Sequence, residues 1–178
     1  MTRGKTDSMV VLQTQRRGCF FFAAQLLFRI SAIVCTLGAI GRMVTSDQTV
    51  IAFGIALEVR YSYSTALKSL LVVNAIVSAF SLLSLIVVVI MNRYPKSNYF
   101  YLFLHDMVIM ALLISGCAAA SAVGYVSHFG ANEMGWMPVC DRVGKYCDKV
   151  TLAVALSYVA WFCFFTLTIL SAYRARHY

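Results

Sequence analysis

The sequence predicts an all-α integral membrane protein, a four-helix bundle with both termini in the cytoplasm. Three observations predict it. Four apolar stretches, at about residues 19–40, 67–90, 99–126 and 152–172, are each long enough to cross a bilayer, which takes roughly 20 predominantly apolar residues. Charge is scarce: 12% of the 178 residues are charged and 61% are hydrophobic, against roughly 25% charged in a soluble domain. Two of those few charges, Arg29 and Asp106, fall inside apolar stretches, where a charge at the bilayer centre costs about 2.5–3.5 kcal/mol. A protein tolerates two such charges most cheaply when they meet. The longest segment between apolar runs is about 26 residues, too short for a separate soluble domain. The chain therefore divides into a basic cytoplasmic tail (1–17), one four-span membrane domain (18–173) and a short cytoplasmic tail (174–178).

The first stretch is read as a span and not as a cleaved signal. Its basic flank fits a signal, and Ala39–Ile40–Gly41 loosely imitates a cleavage site. Its length exceeds the usual 7–15 residues of a signal core, however, and it contains Arg29. Thr2 stands where myristoylation needs Gly, and no Asn-x-Ser/Thr sequon occurs.

The net charge of +8 is unevenly spread. Arg3, Lys5, Arg16, Arg17, Arg93, Lys96, Arg174 and Arg176 lie in the termini and the second-to-third connection, with Asp7 the only acid. Arg42, Arg60, Lys68, Arg142, Lys145 and Lys149 lie in the other two loops, beside Asp47, Glu58, Glu133, Asp141 and Asp148. Lysine and arginine near span ends favour the cytoplasm, and the first set outnumbers the second. The excess charge is thus expected to face anionic lipid at the inner surface, with no nucleic acid as partner.

Arg29 and Asp106 are expected to form an intramembrane ion pair. Arg29 stands roughly 18 Å up its helix from Arg17, and Asp106 roughly 12 Å up its own from Asn98. The two helices run in the same direction, and the long arginine leans back toward the shorter aspartate. Gln25, Arg29, Ala32, Thr36 and Ala39 share one polar or small stripe; Asp106, Leu113, Gly116, Ala120 and Gly124 share another. Such stripes face protein and not lipid. The pair reads either as a structural lock, which sets helix partners and register, or as a relay for protons or ions. A relay usually brings further acids or broken helices, whereas here Pro95 and Pro138 both lie in loops and no second intramembrane acid exists. His105 is expected to be a packing residue on another face of its helix.

Weaker signals concern packing. Gly116, Ala120 and Gly124 form a small-xxx-small series that permits close helix approach. Asn74, Ser78 and Ser81 make a polar stripe on the second span, and Ser157, Trp161, Phe164, Thr168 and Ser171 a mixed one on the fourth. Tyr94, Tyr99, Tyr101 and Trp136 suit the membrane interfaces.

The cysteines divide by position. Cys35, Cys117 and Cys163 read as small apolar core residues. Cys19, at the cytoplasmic end of the first span, is a core residue or a palmitoylation site. Cys140 and Cys147 lie in the second outer loop, with Gly144 between them available for a tight reversal. An oxidising exterior favours a disulfide there; zinc is the alternative, with His128 as a distant third ligand. Walker loops, His-Glu-x-x-His, Gly-x-Ser-x-Gly and Cys-x-x-Cys are missing from the sequence. The expectation is a non-enzyme without cofactor or metal.

Four stretches taken in order resemble the plant Casparian strip membrane domain proteins and their CASP-like relatives. They are Phe28–Arg29–Ile30; Tyr61–Ser62–Tyr63–Ser64–Thr65–Ala66 running into Val72–Val73–Asn74–Ala75–Ile76; Leu104–His105–Asp106; and Gly135–Trp136–Met137–Pro138–Val139–Cys140 continuing to Cys147. The resemblance covers roughly residues 18 to 173 and places the family's intramembrane Arg and Asp at Arg29 and Asp106. It implies a multi-pass plasma-membrane scaffold that forms homo- and hetero-oligomers (homodimers and heterodimers among them) with CASP-like relatives and recruits cell-wall-modifying proteins. The rival reading is a small transporter or channel subunit using the Arg29/Asp106 pair. The strip-forming members carry an acidic, aromatic-rich stretch in the first outer loop. Here that loop reads Asp47–Gln48–Thr49–Val50–Ile51–Ala52–Phe53–Gly54–Ile55, without that stretch, which favours a CASP-like member of unspecified tissue role.

Overall fold

The structure is a computed structural model. It describes the backbone of residues 3–46, 48–52, 55–59, 64–93, 99–130, 138, 140 and 144–177, and side chains at 20–46, 64–90, 100–130, 138, 140 and 144–174. The described elements are helix α1 (Arg3–Val44), strands β1 (Gln48–Ala52) and β2 (Ile55–Val59), and helices α2 (Thr65–Arg93), α3 (Tyr99–Phe129) and α4 (Gly144–His177). All four helices are long and apolar enough to span a membrane.

The helices form a ring in which α1 packs on α2 and α4, and α3 packs on α2 and α4. Successive helices are antiparallel because each connection returns the chain to the next neighbour. The ring is built by a repeat in steps of three and four. Buried positions run Gln25, Arg29, Ala32, Thr36, Ala39 and Met43 on α1, and Leu67, Leu70, Asn74, Val77, Ser81, Ser84 and Val88 on α2. On α3 they run Leu102, Asp106, Ile109, Leu113, Cys117 and Ala120; on α4, Val150, Ala153, Ser157, Ala160, Phe164, Leu167 and Ser171. A 3.5-residue period keeps one seam of each helix on its partners, as in a coiled coil. These seams are rich in small and hydroxyl-bearing residues, while large apolar side chains such as Val72, Leu83, Phe162 and Ile169 point outward. Lipid tails are as apolar as leucine, so close packing and hydrogen bonding, and not hydrophobicity, select the inner seam.

The helix ends explain the boundaries. Beyond α1, Thr45 and Ser46 turn back to donate backbone and hydroxyl hydrogen bonds to the carbonyls of Gly41 and Met43. Lys149 of α4 also donates to the Thr45 carbonyl, a cation on the negative end of α1. α3 ends where Gly130 takes a φ of 72° and donates to the Val126 carbonyl at 2.9 Å, a left-handed cap that suits glycine.

Several expectations change. The tail before the first span is helical from Arg3 and continuous with it, so α1 has 42 residues. α3 runs three residues past Val126, and α4 starts at Gly144, eight residues before Leu152. Gly144 is thus the first residue of a helix and not the apex of a reversal, and Cys147 sits in the first turn of α4. The connection between α1 and α2 contains a two-stranded antiparallel ladder pairing Gln48 with Val59 through Ala52 with Ile55, where the sequence suggests a plain loop. Tyr94, Trp136, and the Asp47, Phe53–Gly54 and Tyr61–Tyr63 positions lie outside the described residues, as does the Cys19 side chain.

Candidate functional site

Arg29 and Asp106 lie on α1 and α3, diagonally opposite in the ring, where only a long side chain spans the gap. Arg29 Nη2 donates to both carboxylate oxygens of Asp106, at 2.9 Å to Oδ1 and 2.8 Å to Oδ2. Both side chains are 0% exposed. One nitrogen serves both oxygens, a charge-assisted contact that leaves Nη1 for a second partner.

The pair recruits the remaining helices. Arg29 Nη1 donates to Ser84 Oγ on α2. Ser171 Oγ on α4 donates to Asp106 Oδ2 at 3.4 Å, and Gln25 Nε2 on α1 donates to Ser171 Oγ at 3.3 Å. One network therefore touches α1, α2, α3 and α4. Arg29 Nε is buried without a hydrogen-bond partner among the described residues. Asp106 stands seven residues from the start of α3, roughly 10 Å along it, so the network occupies the half of the bundle nearer the termini.

Asn74 and Ser157 bridge the other diagonal, between α2 and α4. Asn74 Nδ2 lies 3.0 Å from Ser157 Oγ, and Ser157 Oγ lies 3.2 Å from Asn74 Oδ1. Between the two layers the core is apolar, with Val77, Leu113 and Leu167 fully or almost fully buried. Ser78 and Ser81 donate to carbonyls of their own helix, so they do not join the layers.

The remaining expected positions separate. A Cβ on Gly116 would meet Leu70 and Val73 at 3.5 Å, a close approach of α3 to α2, and Ala120 is fully buried. Gly124 has nothing within 4 Å of its Cβ position, which corrects its reading as a close-packing glycine. It lines a recess of about 40 Å³ at the hairpin end, with Val123, His128, Cys140, Cys147 and Thr151, room for ordered water. Cys140 and Cys147 form a disulfide with Cα atoms 5.8 Å apart, which leaves neither sulfur as a thiolate for zinc. The bridge ties the loop to the first turn of α4, while Cys140 N donates to the Ser127 carbonyl of α3 at 3.2 Å.

The sequence reading missed Ser84. The signal was present: Asn74, Ser81 and Ser84 fall in register on the three-and-four repeat of α2. His105 was placed on a different face from Asp106, yet its Nδ1 lies 3.6 Å from Asp106 Oδ1, close in space but beyond hydrogen-bond length. Its ring meets Phe80 edge-on at 5.9 Å, which fits packing.

A ring of four apolar helices, braced across both diagonals by buried polar side chains, defines a four-span integral membrane protein. Residues 20–163 match the Casparian strip membrane protein domain, and the chain belongs to that family. It is similar to the CASP-like protein 1F2 of Ricinus communis, 49% identical over 161 residues that cover 88% of this chain and 80% of the relative. A CASP-like protein 1F2 of Vitis vinifera is 44% identical, covering 88% and 82%. CASP-like protein 1F1 of Arabidopsis thaliana is 34% identical, covering 86% and 90%. No solved structure matches the chain.

Proposed function

We propose that this chain is a non-enzymatic plasma-membrane scaffold, with both termini cytoplasmic, that assembles with itself and with CASP-like relatives into a membrane platform able to hold wall-modifying proteins. The observation that carries the reading is the state of the intramembrane charges. Arg29 and Asp106 are fully buried, joined by two hydrogen bonds and fixed to Ser84 and Ser171 on the other helices. A translocating site exchanges its partners during the cycle. This pair is held by partners on four elements at once, and the serines above it on α2 are bonded to their own backbone. That favours a rigid body over a gated one, and rigidity is what a platform subunit needs. The family relationship and the basic side of the bundle support the orientation and the membrane.

Fluorescence recovery of a tagged copy in plant plasma membrane tests the proposal. A scaffold recovers slowly and co-precipitates with a second tagged copy. Fast recovery with no self-association, together with solute flux through purified protein in liposomes, assigns it to the transporter class.

A further inference from the structure

The strands β1 (Gln48–Ala52) and β2 (Ile55–Val59) make a two-stranded sheet, and among the described residues they pack chiefly on each other and not on the helices. A lone two-stranded hairpin is marginal in water, and a third strand or a covering element normally completes it. The pairing is regular from Gln48–Val59 to Ala52–Ile55. Only positions 53 and 54 separate the strands, so the closing pair Ala52–Ile55 exchanges hydrogen bonds, as do Val50–Leu57 and Gln48–Val59. Thr49 and Ile51 on β1, and Ala56 and Glu58 on β2, then turn their backbone N–H and C=O groups away from the ladder. Among the described residues no backbone hydrogen bond takes up those groups. A row of such groups is a template for another strand.

The two edges differ. Proteins guard a free edge with a charge, a proline or a bulge. β2 carries Glu58, whereas β1 has no charge, no proline and an unbroken register. Identical copies of β1 are also self-complementary. Laid antiparallel about Val50, Thr49 of one copy meets Ile51 of the other, and each such pair exchanges both of its backbone hydrogen bonds. Copies that sit the same way up in a bilayer can be related by a twofold axis only if it runs along the membrane normal. The twofold of an antiparallel strand pair stands perpendicular to the sheet, so the joined sheet lies flat over the end of the bundle. Alternation along the strands suits that arrangement. Val50, Ala52, Ile55, Leu57 and Val59 fall on one face with Gln48, while Thr49, Ile51, Ala56 and Glu58 fall on the other, which gives one apolar face and one more polar.

We propose that the β1 edge is the surface through which two copies of this chain join, in a sheet of order β2–β1–β1–β2 lying over the bundle end opposite the termini. The inference rests on the self-assembly proposed above and names its contact.

The test uses the full chain in membrane vesicles. In the twofold register the two Val50 Cα atoms stand about 4.5 Å apart, within reach of a disulfide. Val50→Cys should therefore cross-link to itself on mild oxidation, and mass mapping should recover the peptides linked at position 50. Gln48→Cys or Ala52→Cys alone should not cross-link, whereas copies of the two expressed together should link to each other. Ile51→Pro removes an outward N–H from each copy and none from the ladder, so it should weaken co-precipitation of two tagged copies by about tenfold. Ala56→Pro makes the same change on the β2 edge and should leave co-precipitation unchanged. No cross-link at position 50, with co-precipitation intact, overturns the contact and spares self-assembly. Equal behaviour of the two proline variants, both binding or both failing, also overturns it. Wild-type copies that fail to co-precipitate remove self-assembly and this contact together.

Discussion

Asn74 and Ser157 face each other across the bundle and hold both ends of one hydrogen-bonded contact, at 3.0 and 3.2 Å. The two helices that carry them are not neighbours in the ring, so the contact fixes a diagonal that backbone packing leaves open. Ser157 also donates to the Ala153 carbonyl at 3.0 Å, which gives it a fallback when Asn74 is removed. Asn74→Ala and Ser157→Ala should therefore each cost about 1 kcal/mol or less, with a coupling of about 0.6 kcal/mol between them, the average for interhelical hydrogen bonds in a membrane bundle. A double-mutant cycle in detergent unfolding measures it, and strict additivity would show that the diagonal contact carries no energy.

Gly116 and Gly124 should part company. Gly116→Leu forces a side chain against Leu70 and Val73 and should cost about 1–3 kcal/mol by overpacking. Gly124→Ala enters open space and replaces a helical glycine, so it should gain about 0.5–1 kcal/mol. Thermal midpoints of the two variants give the comparison, and equal losses would place both glycines at a helix contact.

Cys140 and Cys147 close a short loop, worth about 2–3 kcal/mol in the chain-entropy model. Mass mapping without reductant should recover the linked peptide, and a reductant should lower the thermal midpoint of the wild type but not of Cys140→Ser/Cys147→Ser. Two free thiols in protein taken from the cell surface would reject the bridge.

The lysine and arginine excess predicts where the ends lie. An N-terminal tag in right-side-out vesicles should resist protease completely, while a tag inserted between β1 and β2 should be digested. Digestion of the N-terminal tag inverts the orientation.

Some of this was legible in the sequence for a simple physical reason. A charge in an apolar run has few affordable environments, so Arg29 and Asp106 announced both their burial and each other. The reading stopped where information was local. Ser84 looked like one serine among several, because a hydroxyl bonded to its own helix and one bonded across the bundle have the same residue type. Gly124 belonged to the same small-residue series as Gly116, and only the path of α2 distinguishes a contact from a recess. Gly144 between two cysteines resembled a turn because nothing in the residues shows that α4 begins before its apolar stretch does. The Val- and Ile-bearing run from Gln48 to Val59 had strand character that was overlooked beside four stronger helical signals.

The central claim is that Arg29 and Asp106 are a structural pair, and surface delivery of three variants measures it most directly. Removing one member of a buried pair costs about 3–5 kcal/mol, a large share of a marginal stability. Arg29→Met alone strands a carboxylate and Asp106→Leu alone a guanidinium, so both should be retained inside the cell. The double variant strands neither, and its surface level should return toward that of the wild type. Normal delivery of both single variants, with the double variant no better than either, would contradict the account.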